Sequence, residues 1–229
     1  MSRQDIENQE LTMKSLAAGT ATLDNFLIRA YYDYDIQNFF TFSRNRYRWV
    51  SHAKWQDGGN AHPSWMALSM FNKLGTGDML EVKTTAVPTV DLPKFKRRKG
   101  MDDAPLAACY ATRRDDRVTL FLLSRRFPGY PVEGDNGFTP VTVKLPFTRC
   151  RAATLYRMAG DPTAHNLTAK NVAFEHVKLP PEDIGPTLTV DASTGADPKG
   201  LPPAATFIYV FDGTDAPAGK PVVPVLPGR

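Results

Sequence analysis

Ala107-Ala-Cys-Tyr-Ala-Thr-Arg-Arg-Asp-Asp-Arg-Val-Thr-Leu-Phe-Leu-Leu-Ser124 is the stretch on which the fold turns. It reads as two short strands separated by an Asp-containing turn. In the second, Val118, Leu120 and Leu122 fall on one face, and Phe121 and Leu123 on the other. Similar runs lie on both sides. Residues 79–85 alternate, as do Val141, Val143 and Leu145 before Pro146. Residues 151–158 carry Ala153, Leu155 and Tyr156. Val172, Phe174 and His176 alternate, Leu188 and Val190 more weakly, and Phe207, Tyr209 and Phe211 close the series. Seven or eight short strands divided by Pro, Gly, Asp and Asn predict an antiparallel β-sandwich.

Before about residue 75 the period changes. Leu16, Leu23, Phe26, Leu27 and Ala30 recur at helical spacing, which predicts a helix over about 9–32. Residues 36–42, Ile-Gln-Asn-Phe-Phe-Thr-Phe, read as a strand buried on both faces. A second helix is bounded by Pro63 at its first turn and Gly75 at its end, with Ala67, Met70, Phe71 and Leu74 forming its stripe. Helix, strand, long loop and helix make part of an α/β repeat, and one parallel strand makes no sheet. The organisation expected is therefore residues 1–76 as an incomplete (β/α)8-barrel-like segment, 77–214 as a β-sandwich and 215–229 as a loose Pro/Gly-rich tail.

The chain has 229 residues, 42% hydrophobic and 23% charged, which excludes a mostly disordered protein. No apolar run approaches the roughly 20 residues of a membrane span, and the first residues lack the apolar core of a secretory signal. Cytoplasmic and secreted locations both stay open. The net charge is +4, and much of it sits at residues 94–99, Lys-Phe-Lys-Arg-Arg-Lys. Such a run reads as an anion-binding patch or as a solvated loop between strands. No zinc spacing, basic helix or RNP-like strand accompanies it, so neither a nucleic-acid nor a membrane partner is expected. Cys109 and Cys150 both fall in expected strands. They are either half-buried thiols or one inter-strand disulfide in an oxidising compartment.

Glycoside hydrolysis needs two carboxylates, one to protonate the leaving oxygen and one to attack or to activate water. The acids of the first segment are Asp5, Glu7, Glu10, Asp24, Asp33, Asp35 and Asp57, and none follows the expected strand end. His52, His62, His165 and His176 are scattered and suggest no metal site, and no cofactor motif is present. The loop after the strand is different in character. Tyr47, Trp49, His52 and Trp55 cluster there among Arg44, Arg46 and Arg48. Aromatic rings offer flat faces to sugars and arginines donate fixed hydrogen bonds, which makes Tyr47, Trp49, His52, Trp55 and Arg46 the candidate substrate-binding residues. Packing of the loop on its own scaffold is the competing reading.

Several phrases together resemble a family. They are residues 36–42, the Trp loop, Pro63-Ser-Trp-Met-Ala-Leu-Ser-Met-Phe-Asn-Lys-Leu-Gly75, Gly77-Asp-Met-Leu-Glu-Val82, the paired strands of residues 107–125, and Ala152-Ala-Thr-Leu-Tyr-Arg-Met-Ala-Gly-Asp161. They resemble the C-terminal part of retaining glycoside hydrolases of the α-L-arabinofuranosidase type, in which a (β/α)8 barrel precedes a β-sandwich. The resemblance implies that residues 9–34 match the seventh barrel helix, 36–42 the eighth strand and 63–74 the eighth helix. Both catalytic glutamates of the family would then lie before Met1, so no catalytic residue is assigned and the chain is expected to be inactive alone. Glu7 has no strand before it and is not given the nucleophile's role. The resemblance points to Trp49 and Trp55 as substrate-side aromatics. It also implies an arabinose- or xylose-containing carbohydrate as partner, and an intermolecular partner over the barrel-like segment. The alternative is a non-catalytic carbohydrate-binding or interaction sandwich.

Overall fold

Ser15 caps the helix Leu16–Tyr31. Its hydroxyl accepts from the backbone N–H of Ala18, satisfying one of the donors that a helix N-terminus leaves open. Two more, on Leu16 and Ala17, donate to the carbonyls of Ala164 and Pro162. The structure is a computed structural model, and it describes residues 11–34, 51–53, 56, 58–94, 99–127, 137–190 and 200–217. Helix α1 is Leu16–Tyr31 and α2 is Pro63–Leu74. Pro63 opens α2 and Gly75 caps it, as their positions in the sequence predict. The strand expected at 36–42 lies outside the described residues.

Among the described residues ten strands follow: β1 Asp78–Leu80, β2 Thr89–Leu92, β3 Met101–Pro105, β4 Ala107–Arg114, β5 Arg117–Ser124, β6 Thr142–Lys144, β7 Ala152–Met158, β8 Glu175–Leu179, β9 Thr187–Thr189 and β10 Thr206–Asp212. Six form one antiparallel sheet in the order β1-β4-β5-β10-β7-β8, while β2–β3 and β6–β9 are separate two-stranded ribbons. The fold is mostly β and antiparallel, a sandwich preceded by a small helical segment. β4 and β5 pair from Ala107 opposite Ser124 to Arg114 opposite Arg117. The turn between them puts Asp115 at φ 55°, a left-handed conformation that Asp tolerates better than most residues.

β5 and β10 lie at the centre of the sheet, and their alternation supplies two cores. Val118, Leu120, Leu122, Phe207, Tyr209 and Phe211 pack on one face, together with Val141, Val143 and Leu188 from the β6–β9 layer. Phe121, Leu123, Ile208 and Val210 face the other way and meet Leu23 and Leu27 of α1 and Ala67 and Leu74 of α2. The described helices thus do not wait for a barrel to cover their apolar stripes, because the sandwich's own sheet does so. Three differences from the sequence reading follow, the first two where alternation is weak at half-exposed edges. The strand expected at 79–85 shortens to Asp78–Leu80. The β2–β3 ribbon appears where a loop was expected. Val172 and Phe174 pack in the core ahead of β8 rather than within it.

Gly19 sits where the helices meet. A Cβ there would lie 2.8 Å from Pro63 Cβ and 2.9 Å from the Pro63 carbonyl carbon and oxygen. Gly19→Ala adds helix propensity of roughly 0.5–1 kcal/mol, but it must push α2 away. A net loss of about 1–2 kcal/mol is expected, read as a fall in the urea midpoint at unchanged slope.

α1 is also tied to the sheet by polar groups. Thr20 Oγ1 donates to the Ala204 carbonyl at 2.5 Å and lies 2.8 Å from Thr206 Oγ1. Asp24 receives the Arg125 guanidinium on both oxygens, at 2.7 and 2.9 Å, and the Tyr110 hydroxyl at 2.7 Å. Burial, then the neighbouring Asp24 carboxylate, push the Tyr110 pKa up, so it remains a donor.

Candidate functional site

Of the five sequence-predicted binding residues, the described part of the structure places one, His52. Arg46, Tyr47, Trp49 and Trp55 lie outside the described residues, as do Glu7 and Glu10.

The chain around His52 folds back on itself directly before α2. The Ala53 N–H donates to the Asn60 carbonyl and the His62 N–H to the Ser51 carbonyl, each at 2.8 Å. His52 therefore pairs antiparallel with Ala61. Its Nδ1 lies 2.8 Å from Ser51 Oγ, and its ring centroid is 5.7 Å from that of Trp65 at an interplanar angle of 52°. Trp65 is the tryptophan that the loop-centred reading left out. Its position on the first turn of α2, next to the loop, was the signal available.

A buried amide fastens this hairpin to the rest of the protein. Asn166 Nδ2 donates to the carbonyls of Ala61 at 3.0 Å and Val172 at 2.7 Å, and Asn166 Oδ1 accepts from the Val172 N–H. The turn that carries Asn166 also carries His165, which bridges to Ser15. Three histidines scattered in sequence influence one another, with His52 and His165 both lowering the pKa of His62. His62 is fully buried, and among the described residues neither ring nitrogen has a hydrogen-bond partner. The buried Nδ1 of His165 has none either. Burial lowers the His52 pKa. Burial first, then Lys14, His52 and His165, bring that of His62 down to about 4. Among the described residues no group of three or more His, Cys, Asp or Glu side chains is placed to hold a metal ion.

The His52 imidazole beside the Trp65 indole can offer a hydrogen bond and a ring face to a sugar, whereas glycosidase chemistry calls for a pair of carboxylates. Asp24 is held by Arg125 and Tyr110. Asp161 and Asp215 have lowered pKa values, through hydrogen bonds from Thr163 and from Thr148 respectively, the opposite of what a general acid needs. Cys109 and Cys150 are free thiols in the structure, and burial pushes Cys109 up to about 12, so it is no nucleophile at neutral pH.

A cleft of about 960 Å³ opens elsewhere, between β1–β4–β5 and β6. Among the described residues its lining, including Val82, Cys109, Val143 and Leu201, contains no aromatic ring on which a sugar could stack.

No protein-family model matches the chain, and no curated protein matches it in sequence. Solved structures do resemble it. An arabinofuranosidase aligns with a TM-score of 0.59 and 12% identity over 86% of this chain and 38% of its own. A thermostable GH51 α-L-arabinofuranosidase from Thermotoga petrophila RKU-1 aligns with a TM-score of 0.43 and 17% identity, over 65% of this chain and 28% of its own. A GH86 protein in complex with neoagarooctaose aligns over 50% of this chain and 14% of its own, with a TM-score of 0.29 and 11% identity. The chain spans 38% of the length of the first of these, and the likeness is one of architecture: this chain has a glycoside hydrolase-like fold.

Proposed function

We propose that this chain is the sandwich-bearing portion of a glycoside hydrolase of the α-L-arabinofuranosidase type. Such an enzyme cleaves O-glycosidic bonds of arabinose- or xylose-containing plant-type polysaccharides by a retaining two-carboxylate route. The observation that carries the reading is the shared architecture, which extends over 86% of this chain and 38% of an arabinofuranosidase. In this reading the chain does not itself supply the acid/base carboxylate or the nucleophile. It contributes the loop before α2, where Tyr47, Trp49 and Trp55 offer ring faces, and Arg46 and His52 offer hydrogen bonds to sugar hydroxyls. The partner is a carbohydrate. The exposed C-terminal end of α1, with Ile28 and the following Tyr32 and Tyr34, is the surface for the protein partner that completes the catalytic domain.

The whole chain is the right test object, because the sheet and helices share a core. Incubation with aryl α-L-arabinofuranosides and β-D-xylosides is expected to give no turnover. Arabino- and xylo-oligosaccharides are expected to change tryptophan emission saturably, and Trp55→Ala to weaken that response about fivefold, the loss of one ring contact of ~1 kcal/mol. Robust turnover that survives Glu7→Gln and Glu10→Gln would overturn the absence of catalysis. Emission indifferent to either sugar would overturn the site.

A further inference from the structure

The cleft of about 960 Å³ between β1–β4–β5 and β6 plays no part in the proposed function. Leu80, Val82, Cys109, Val141, Val143 and Leu145 line it, packed against the core beneath yet only half-buried. Aliphatic side chains left half-buried on both walls gain by further cover. The chain itself runs to this place. After β10 the Thr214 N–H donates to the Asp116 carbonyl, and Asp215 Oδ1 accepts from the Thr148 and Arg149 N–H groups at 2.9 and 3.1 Å. Ala216 then joins the core. Pro217, whose carbonyl accepts from the Arg113 guanidinium, lines the cleft with it. The described residues end there.

Residues 218–229 follow, Ala-Gly-Lys-Pro-Val-Val-Pro-Val-Leu-Pro-Gly-Arg. Pro221, Pro224 and Pro227 recur every third residue, the period of a polyproline II helix. Between them stand Val222, Val223, Val225 and Leu226, and no charge falls between Lys220 and Arg229. In that conformation the prolines make one face and the four aliphatic side chains the other two. Such a segment needs no ladder partner and settles by burying side chains, and its fixed φ lowers the entropy lost on docking. At about 3.1 Å per residue, residues 222–226 come roughly 16–28 Å from Pro217, so the segment can enter the cleft directly from its lining. Other stretches outside the described residues flank the lining near Thr139 and Leu201. Residues 191–199, Asp-Ala-Ser-Thr-Gly-Ala-Asp-Pro-Lys, hold no aliphatic side chain larger than alanine, and 128–136, Pro-Gly-Tyr-Pro-Val-Glu-Gly-Asp-Asn, set a single valine beside two acids. The tail matches the aliphatic walls better than either.

We propose that this cleft is the docking groove of the chain's own segment 221–226. Its four aliphatic side chains fill the space between the two layers and close the sandwich along that side. The inference is independent of the proposed function.

Cys109, in the wall of the cleft, reports on the cover, and Cys150→Ser leaves it the one thiol of the chain. In that background the rate at which methyl methanethiosulfonate modifies Cys109 under native conditions is compared between the full chain and a chain stopped after Pro217. Modification is expected to be about tenfold faster in the shortened chain. The same acceleration is expected in full-length Val222→Asp/Val225→Asp, which keeps the length but not the apolar surface. Rates equal within about twofold for the full and shortened chains would show that something else covers the cleft, and would overturn the docking. A double variant as well protected as the wild type overturns it too. Protection that vanishes on dilution assigns the groove to a second copy and likewise overturns it. Should the shortened chain not fold, methyl NOEs in the wild type decide. Contacts of the Val222, Val223, Val225 or Leu226 methyls with those of Val141 and Val143 support the docking, and random-coil shifts without such contacts overturn it.

Discussion

Asp24→Ala is expected to lower the melting temperature by roughly 6–12 °C, corresponding to about 3 kcal/mol in a chain of this size. The carboxylate is the acceptor at the centre of a three-member network, bound by Arg125 through two nitrogens and by the Tyr110 hydroxyl. The Arg125 and Asp24 side chains are only 25% and 19% exposed, so the ion pair is shielded from the screening that makes surface pairs nearly worthless. Removing Asp24 leaves a guanidinium and a phenol half-buried with their acceptor gone, and that penalty exceeds the net worth of the pair. Burial works against the Arg125 charge, and the hydrogen bond and charge of Asp24 outweigh it and hold the pKa above the usual value. A double-mutant cycle with Arg125→Met checks the assignment. The double variant is expected to be more stable than Asp24→Ala alone, because it carries no orphaned cation. Equal or additive losses would show that the network is not what holds α1 to the sheet.

Gly77→Ala is expected to cost at least as much, about 3–4 kcal/mol. Gly77 joins α2 to β1 with φ at 90°, where a side chain is strained. A Cβ would stand 2.0 Å from the Arg113 carbonyl oxygen and 2.5 Å from its carbon, which are backbone atoms of β4. Nothing there can swing aside, so the substitution must break the pairing of Asp78 with Arg113 or displace α2. Gly185→Ala is the control. It has nothing within 4 Å and no left-handed φ, so it is expected to be neutral within about 0.5 kcal/mol. Chemical denaturation of both variants under one condition separates the steric effect at Gly77 from the general loss of chain freedom that both share.

How far the sequence reading reached depended on burial. β5 was readable on both faces because seven of its eight residues are buried and each face has its own core. α2 was readable because Pro63 and Gly75 mark its ends chemically. The β2–β3 ribbon was not, because β2 alternates only between exposed and half-buried residues and β3 buries Ala104 alone, which leaves little apolar signal. A helical stripe tells that a face will be covered but not by what, so Leu23, Leu27, Ala67 and Leu74 gave no hint that Phe121 and Ile208 would cover them. The histidine cluster was hidden for a related reason. His62 and His165 are joined by no local spacing rule, and nothing in the sequence announces that the 161–166 turn supplies carbonyls to the first turn of α1. The Trp loop stood out by composition alone, and of its candidates His52 acquires described neighbours.

The order β1-β4-β5-β10-β7-β8 has a consequence for synthesis. The last of the described strands occupies the middle of the sheet, with β5 on one side and β7 on the other. Until residues 206–212 leave the ribosome, the nascent chain carries two half-sheets whose facing edges have no partner. Those edges are the apolar, full-length strands, the kind that recruit neighbouring chains when left open. Thr20 must also wait for Ala204 and Thr206 before α1 can settle. Folding is thus a late event driven by contacts of very long sequence separation, slow by topology and dependent on the arrival of a single seven-residue segment.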